Sequence, residues 1–186
     1  MTGRIRNLPS AQNLPKPTGP ANAAQTTATS APDAAALKNV AKIVRGTPLQ
    51  GHEQAIVNGA KKYNVPIAFA LAQFQVESQM ARTGRGAVNN NPGNLRFAGQ
   101  PNATNNGGFA KFGNLDQGID AYFKNLDKNY RPFLDRNDLT GLLHKYAPPT
   151  DGNNDSSYAK LMSQLMPRYD RVLGTPPPTN SGGQLA

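Results

Sequence analysis

The sequence predicts a mainly α-helical domain with one small β-hairpin and disordered tails at both ends. Three observations lead there. Apolar residues recur at helical spacing in segment after segment between Ala34 and Met166. One run dense in Gly, Asn and Pro, Gly99–Gly108, separates two short apolar segments, as a hairpin would. Residues 1–33 and 175–186 are rich in Pro, Ala, Thr, Asn and Gln and lack aliphatic periodicity, so they cannot bury enough apolar surface to order alone. A length of 186 residues allows one domain plus such tails. The expected division is a flexible basic leader over 1–46, a folded domain over 47–174 and a tail over 175–186.

Within the leader, Ala34–Val44 spaces Leu37, Val40, Ala41 and Val44 as a helix would, and it reads as a linker helix. The domain's first helix is expected over Pro48–Tyr63, with Ile56, Val57 and Ala60 inward. A second is expected over Pro66–Met80, where proline is tolerated in the first turn and no further breaker intervenes. Leu95–Ala98 and Gly108–Phe112 are the expected hairpin strands. Asn114 or Asp116 then caps a helix running to about Tyr130, with Ile119, Tyr122, Phe123 and Leu126 inward. Leu139–Tyr146 gives a short helix stopped by Pro148 and Pro149, and Ser156–Met166 a last one, interrupted by Pro167.

The helix over Pro66–Met80 is apolar on both sides, the mark of a helix buried in the middle of a domain. Glu77 breaks that pattern near its C-terminal end, one turn beyond Gln73 on the same stripe. It gains nothing from the helix dipole, which favours cations there. The chain has only two glutamates, so Glu77 is not one acid among many on a solvated face. Two readings fit: an end-of-helix acid paired with Arg82 or Arg85, or a half-buried carboxyl held protonated by apolar neighbours and able to act as a general acid.

The residues after the helix separate the two readings. LAQFQVES, a Gly-rich loop and then NNPGNLR (Asn90–Arg96) together resemble the lysozyme-like peptidoglycan glycosidases. The likeness is to their phage-type and glucosaminidase branches and, more distantly, to lytic transglycosylases. It continues through Phe109–Leu126 and Tyr146–Met162, and covers roughly Pro48 to Met162. Where soluble transglycosylases carry a GLMQ-type segment after the acid, NNPGNLR stands instead. The resemblance implies that Glu77 is the catalytic acid at the floor of a cleft and that the hairpin forms one wall. It implies that Ser78 orients the acid. It places Gln73, Asn91, Asn94, Tyr146 and Tyr158 among the substrate-binding residues, the asparagines offering amides to sugars and the tyrosines stacking on sugar faces. Each has a structural alternative: a backbone-bonded hydroxyl for Ser78, turn geometry for the asparagines, core packing for the tyrosines.

A two-carboxylate glycosidase needs a second acid roughly 5–9.5 Å from the first. Between Gly84 and Leu115 there is none. Asp116 reads more simply as a cap and Asp120 as a surface acid, so a single-acid mechanism with 1,6-anhydromuramic products is the expectation. No cofactor or metal is expected. Cysteine is absent, His52 and His144 are not at ligand spacing, and the Asp151–Asp155 run lacks the glycine and glutamate of a calcium loop.

The net charge is +9, divided as six basic residues against one acid up to Gly46 and fourteen against ten beyond it. The basic residues are scattered with few interleaved aromatics, which argues against a nucleic-acid element and for polyanionic envelopes as the attracting surface. The leader lacks the apolar core of a secretory signal, and no run of about 18 apolar residues suggests a membrane span. With the phage-type NNPGN block, this points to a bacteriophage virion protein acting in the host periplasm or wall, its leader docking on other virion proteins. The alternative is a structural or glycan-binding module that keeps the fold without cleaving.

Overall fold

The computed structural model describes residues 31–136, 138–146 and 155–175. The leader before residue 31, the Pro148–Pro149 stop, the loop acid Asp151 and the tail beyond Thr175 lie outside them. Seven helices and one two-stranded antiparallel sheet make up the described residues. In order they are α1 (Ala31–Val44), α2 (Glu53–Lys62), α3 (Ile67–Ser78), α4 (Gly84–Val88), β1 (Ala103–Asn106), β2 (Phe109–Phe112), α5 (Leu115–Asp135), α6 (Leu139–Tyr146) and α7 (Asp155–Leu173).

The centre is α3. Every side chain from Ala68 to Phe74 is buried, as a helix without a polar face requires. Around it the fully buried rings of Phe69, Phe74, Phe112, Tyr122 and Phe123 form one core. Phe74 meets Tyr122 edge-on at 4.7 Å and Tyr122 meets Phe123 at 5.3 Å, the geometry aromatic quadrupoles favour. Gly59 in α2 admits the Phe123 ring, since a Cβ there would stand 2.2 Å from its Cδ2.

Several boundaries differ from the sequence reading. The expected helix over Pro48–Tyr63 starts only at Glu53, because Thr47–Gly51 forms turns closed by Gln50 N–H to Thr47 O and His52 N–H to Leu49 O. The expected linker helix is part of the domain. In α1, Val40 and Val44 are wholly buried against α2 and α7, so the packed core takes in residues before 47. A short helix, α4, occupies the presumed Gly-rich loop.

The hairpin pairs Ala103–Asn106 with Phe109–Phe112 around Gly107 and Gly108, whose φ of 61° and 83° supply the left-handed turn. Leu95–Ala98, expected as the first strand, touches the other edge of β2 through the single bridge Arg96–Phe109. In α5, Asn114 is the cap, accepting from Gln117 N at 3.0 Å, and Asp116 is not. Both α5 and α7 run on past where the sequence reading ends them. Pro132 and Pro167 sit inside these helices and are exposed, so each removes one N–H without breaking the inward face.

Candidate active site

Glu77 occupies the last turn of α3, and the chain turns sharply behind it. Gln79, Met80 and Ala81 all have left-handed backbones, with φ of 50°, 60° and 64°, although none is glycine. Each such residue costs of order 1–3 kcal/mol and persists only when its surroundings fix it. Here the fixing is done by Ser78. Its hydroxyl accepts from Ala81 N at 2.9 Å and donates to Pro92 O at 2.8 Å, while its carbonyl takes Arg82 N and Thr83 N. Met80 and Ala81 are buried beneath it. Gly86 of α4 lies against the same serine, where a Cβ would stand 2.2 Å from Ser78 Cβ.

The Pro92 contact brings the Asn89–Asn94 turn onto the end of α3. Asn91 is wholly buried and spends its amide on backbone, donating to Leu95 O at 3.0 Å and Ala110 O at 2.9 Å and accepting from Leu95 N. Asn90 donates to Phe112 O, so the two residues bolt the turn to the hairpin. Asn94, left-handed at φ 49°, then reaches the acid: its Nδ2 donates to Glu77 O at 2.6 Å and to Glu77 Oε2 at 3.3 Å. Its Oδ1 is buried and has no partner among the described residues.

The other carboxylate oxygen is held from α7. Tyr158 donates to Glu77 Oε1 at 2.9 Å and receives from Gln73 Nε2 at 3.2 Å, and Gln73 Oε1 accepts from the Tyr122 hydroxyl. Tyr122, Gln73, Tyr158 and Glu77 thus form one directional chain. Because the Gln73 amide donates into the Tyr158 oxygen, the Tyr158 proton is directed at the acid. Burial and the nearby Glu77 charge push the Tyr158 phenol well above its ordinary range, so it remains a donor. Burial is also the main influence on Glu77 and raises its carboxyl above the usual carboxylate value, partly offset by the hydrogen bonds from Tyr158 and Asn94. The carbonyl end of the α3 dipole acts in the same direction as burial.

The structure therefore brings Asn94 and Tyr158, both half-buried, each within hydrogen-bond reach of the half-buried Glu77. It buries others. Gln73, Ser78 and Asn91 have no exposed surface to offer a sugar; their polar atoms are spent on hydrogen bonds inside the protein. Tyr146 donates its hydroxyl to Gly93 O at 2.6 Å and packs on Tyr130 at 5.5 Å, so it clamps the asparagine turn. Tyr122 was legible only as core; its inward place in DAYFKNL gave no sign that its hydroxyl closes the chain to Glu77.

Among the described residues no second carboxylate acts on Glu77, whose proton affinity answers to burial, Tyr158 and Asn94 alone. Asp116 pairs with His52 at 2.6 Å and Asp120 with Lys62 at 3.5 Å, both on the α2 side of α5. Asp138 accepts from Gly141 N at the start of α6, and Asp127 and Asp135 are tied to Arg131. Nor do the described residues form a cluster of metal-ligating side chains. Two surface concavities of about 510 and 550 Å³ lie elsewhere and do not include Glu77.

Residues 53–171, from the first residue of α2 to the last turn of α7, match the family described as Glucosaminidase, mannosyl-glycoprotein endo-beta-N-acetylglucosaminidase. No curated protein and no solved structure matches the chain. The matched span is well over half of the sequence and holds Glu77 with every hydrogen-bond partner described above. On that extent the chain belongs to the glucosaminidase family, a lysozyme-like family of peptidoglycan glycosidases.

Proposed function

We propose that the chain cleaves peptidoglycan strands at N-acetylglucosamine by hydrolysis, with Glu77 as the single protein acid and the sugar's own acetamido group as the internal nucleophile. Protonated Glu77 gives its proton to the glycosidic oxygen as the bond from C1 breaks, and the acetamido oxygen bonds to C1. The Glu77 carboxylate then takes a proton from water as that water attacks C1 and releases the acetamido oxygen. No protein nucleophile is consumed, and the acid finishes protonated. The observation that carries this reading is the isolation of Glu77. Its proton affinity is raised by burial, and among the described residues no other carboxylate acts on it.

The family description supports N-acetylglucosamine over muramic acid as the attacked sugar. The expectation of 1,6-anhydromuramic ends from a transglycosylase uses the same lone acid, with the muramic 6-hydroxyl closing on C1, and becomes the second reading. Mass spectrometry of digested walls decides between them. Reducing N-acetylglucosamine ends are expected; anhydromuramic ends, one water lighter, would replace this reading with transglycosylation, and reducing muramic ends would mean a muramidase. Clearing of a wall-containing gel separates all three from a non-catalytic binding module.

The setting we propose is a bacteriophage virion, with wall opening at infection or lysis. It is supported by the likeness of NNPGNLR to the phage-type branch and by a net charge of +9 suited to polyanionic envelopes. Peptide mass spectrometry of purified particles tests it; absence of the chain from them would remove the virion role.

A further inference from the structure

On the side of α3 away from the acid, a groove of about 550 Å³ opens where α1, α7 and the chain after α3 meet. Gln75 lines it, and two positions apart on a helix Gln75 and Glu77 face opposite sides. The groove is therefore not an extension of the Glu77 site. Its volume falls in the range of small-ligand pockets, roughly 300–1,000 Å³.

Its lining has two parts. Lys42, Arg45, Arg82 and Arg168 supply four cations and no carboxylate lines it. Among the described residues none of the four is in an ion pair, as is true of most lysines and arginines on the surface, and what sets them apart is that they line one groove together. Arg82 is steadied by donating to Gly46 O, and Lys42 by Asn39 Oδ1 at 2.8 Å. The apolar part comes from Ile43, Met80, Leu165 and Val172. Four uncompensated cations around an aliphatic floor fit an anion that also carries methyl or methylene groups. Three of the four are arginines, whose planar fork matches a carboxylate in two hydrogen bonds.

We propose that this groove binds the short acidic peptides that hang from peptidoglycan strands, their carboxylates on Arg45, Arg82 and Arg168 and their alanine methyls on the aliphatic floor. The proposal rests on the reading of the chain as a peptidoglycan glycosidase and adds a second hold on the same polymer, on the reverse face from the cut. A bare phosphodiester polymer would leave the apolar floor unused. A nucleic acid would lack an exposed ring to stack on, because Tyr169, the one aromatic in the lining, is 8% exposed.

The test is methyl-resolved NMR on the full chain carrying Glu77→Gln, so that nothing turns over. The probes are an N-acetylated stem pentapeptide of L-Ala, D-Glu, L-Lys and two D-Ala, the same peptide with its carboxylates amidated, a polyglycerol phosphate and a DNA oligonucleotide. The acidic peptide is expected to shift the methyls of Ile43, Met80, Leu165 and Val172, and the amidated peptide to leave them in place. Arg45→Gln with Arg168→Gln is expected to weaken binding at least tenfold, with the far-UV spectrum unchanged because both side chains are exposed. Lys42→Gln alone serves if the double variant does not fold, with a smaller loss in the same direction. No shift with the acidic peptide, equal binding by the variants, or a response to the phosphate polymer or DNA alone would overturn the site. Gel clearing by the wild-type chain is scored separately, so loss of the glycosidase reading and loss of the groove reading are distinct results.

Discussion

At Glu77 the raised affinity for a proton ties stability to pH, and the proposed mechanism ties activity to the same group. Its folded-state affinity for that proton is raised, so in the native state it stays protonated at pH values where the unfolded chain has already ionised. Below the ordinary carboxyl value of 4.5 both states hold the proton and the residue costs nothing. As pH rises from there through the folded value, the unfolded state is increasingly favoured. Glu77→Gln should therefore lose wall cleavage by orders of magnitude, yet melt higher than wild type at pH 7 and level with it near pH 4; calorimetry at the two values checks the sign. Tyr158→Phe removes a hydrogen bond that stabilises the carboxylate, which raises the Glu77 value further. The alkaline limb of kcat/KM is then expected to move to higher pH while the maximum falls, a pattern a purely structural lesion would not give. Asp116→Asn and Asp120→Asn should each cost less than about tenfold, or ~1.4 kcal/mol, because both acids are engaged on the α2 side of α5. A larger loss in Asp151→Asn or Asp155→Asn would show that a protein carboxylate does the work assigned to the acetamido group.

Among the elements, glycines set how closely the pieces approach the acid. A Cβ on Gly93 would stand 2.5 Å from the Tyr122 ring, and one on Gly118 would stand 1.9 Å from Asn90 O. Gly93→Ala is expected to cost about 1–3 kcal/mol, as overpacking against a fixed ring does. It should also lower kcat, because the displaced turn carries Asn94; a thermal melt and a rate measurement on one sample report the two effects. The sequence disclosed α3, the α5 core face and the NNPGN turn well, since periodicity and turn chemistry are local. It disclosed less where distant contacts decide. The burial of α1 depends on α2 and α7, the first strand depends on the Gly107–Gly108 turn, and the three left-handed residues after Ser78 are stabilised by Pro92 across the site. Glu77 was legible because a lone acid on an apolar helix is anomalous. Gln73, by contrast, looked like a residue for sugar, when its amide is spent between the buried Tyr122 and the half-buried Tyr158.

For the whole molecule, the first described element begins at Ala31, and the sequence before it carries Arg4, Arg6 and Lys16 with no acid and few aliphatic residues. A chain beginning at Ala31 is expected to cleave isolated walls as the full chain does. A chain beginning at Thr47 loses the buried Val40 and Val44, worth about 1.5–3 kcal/mol each, together with the Asn39 bond to Leu173 O. It is expected to melt several degrees lower and to lose activity as it does, which circular dichroism and gel clearing track together. The reach of the Tyr158 hydrogen bond has a further consequence. The two residues are 81 positions apart, and Asn94 and Pro92 meet α3 from the other direction. A chain still being synthesised, or drawn unfolded through a narrow passage, has Glu77 but none of the environment that holds its proton. Only when α7 seats on α3 does Glu77 meet Tyr158, so the site is completed by the last described helix and not by α3 alone.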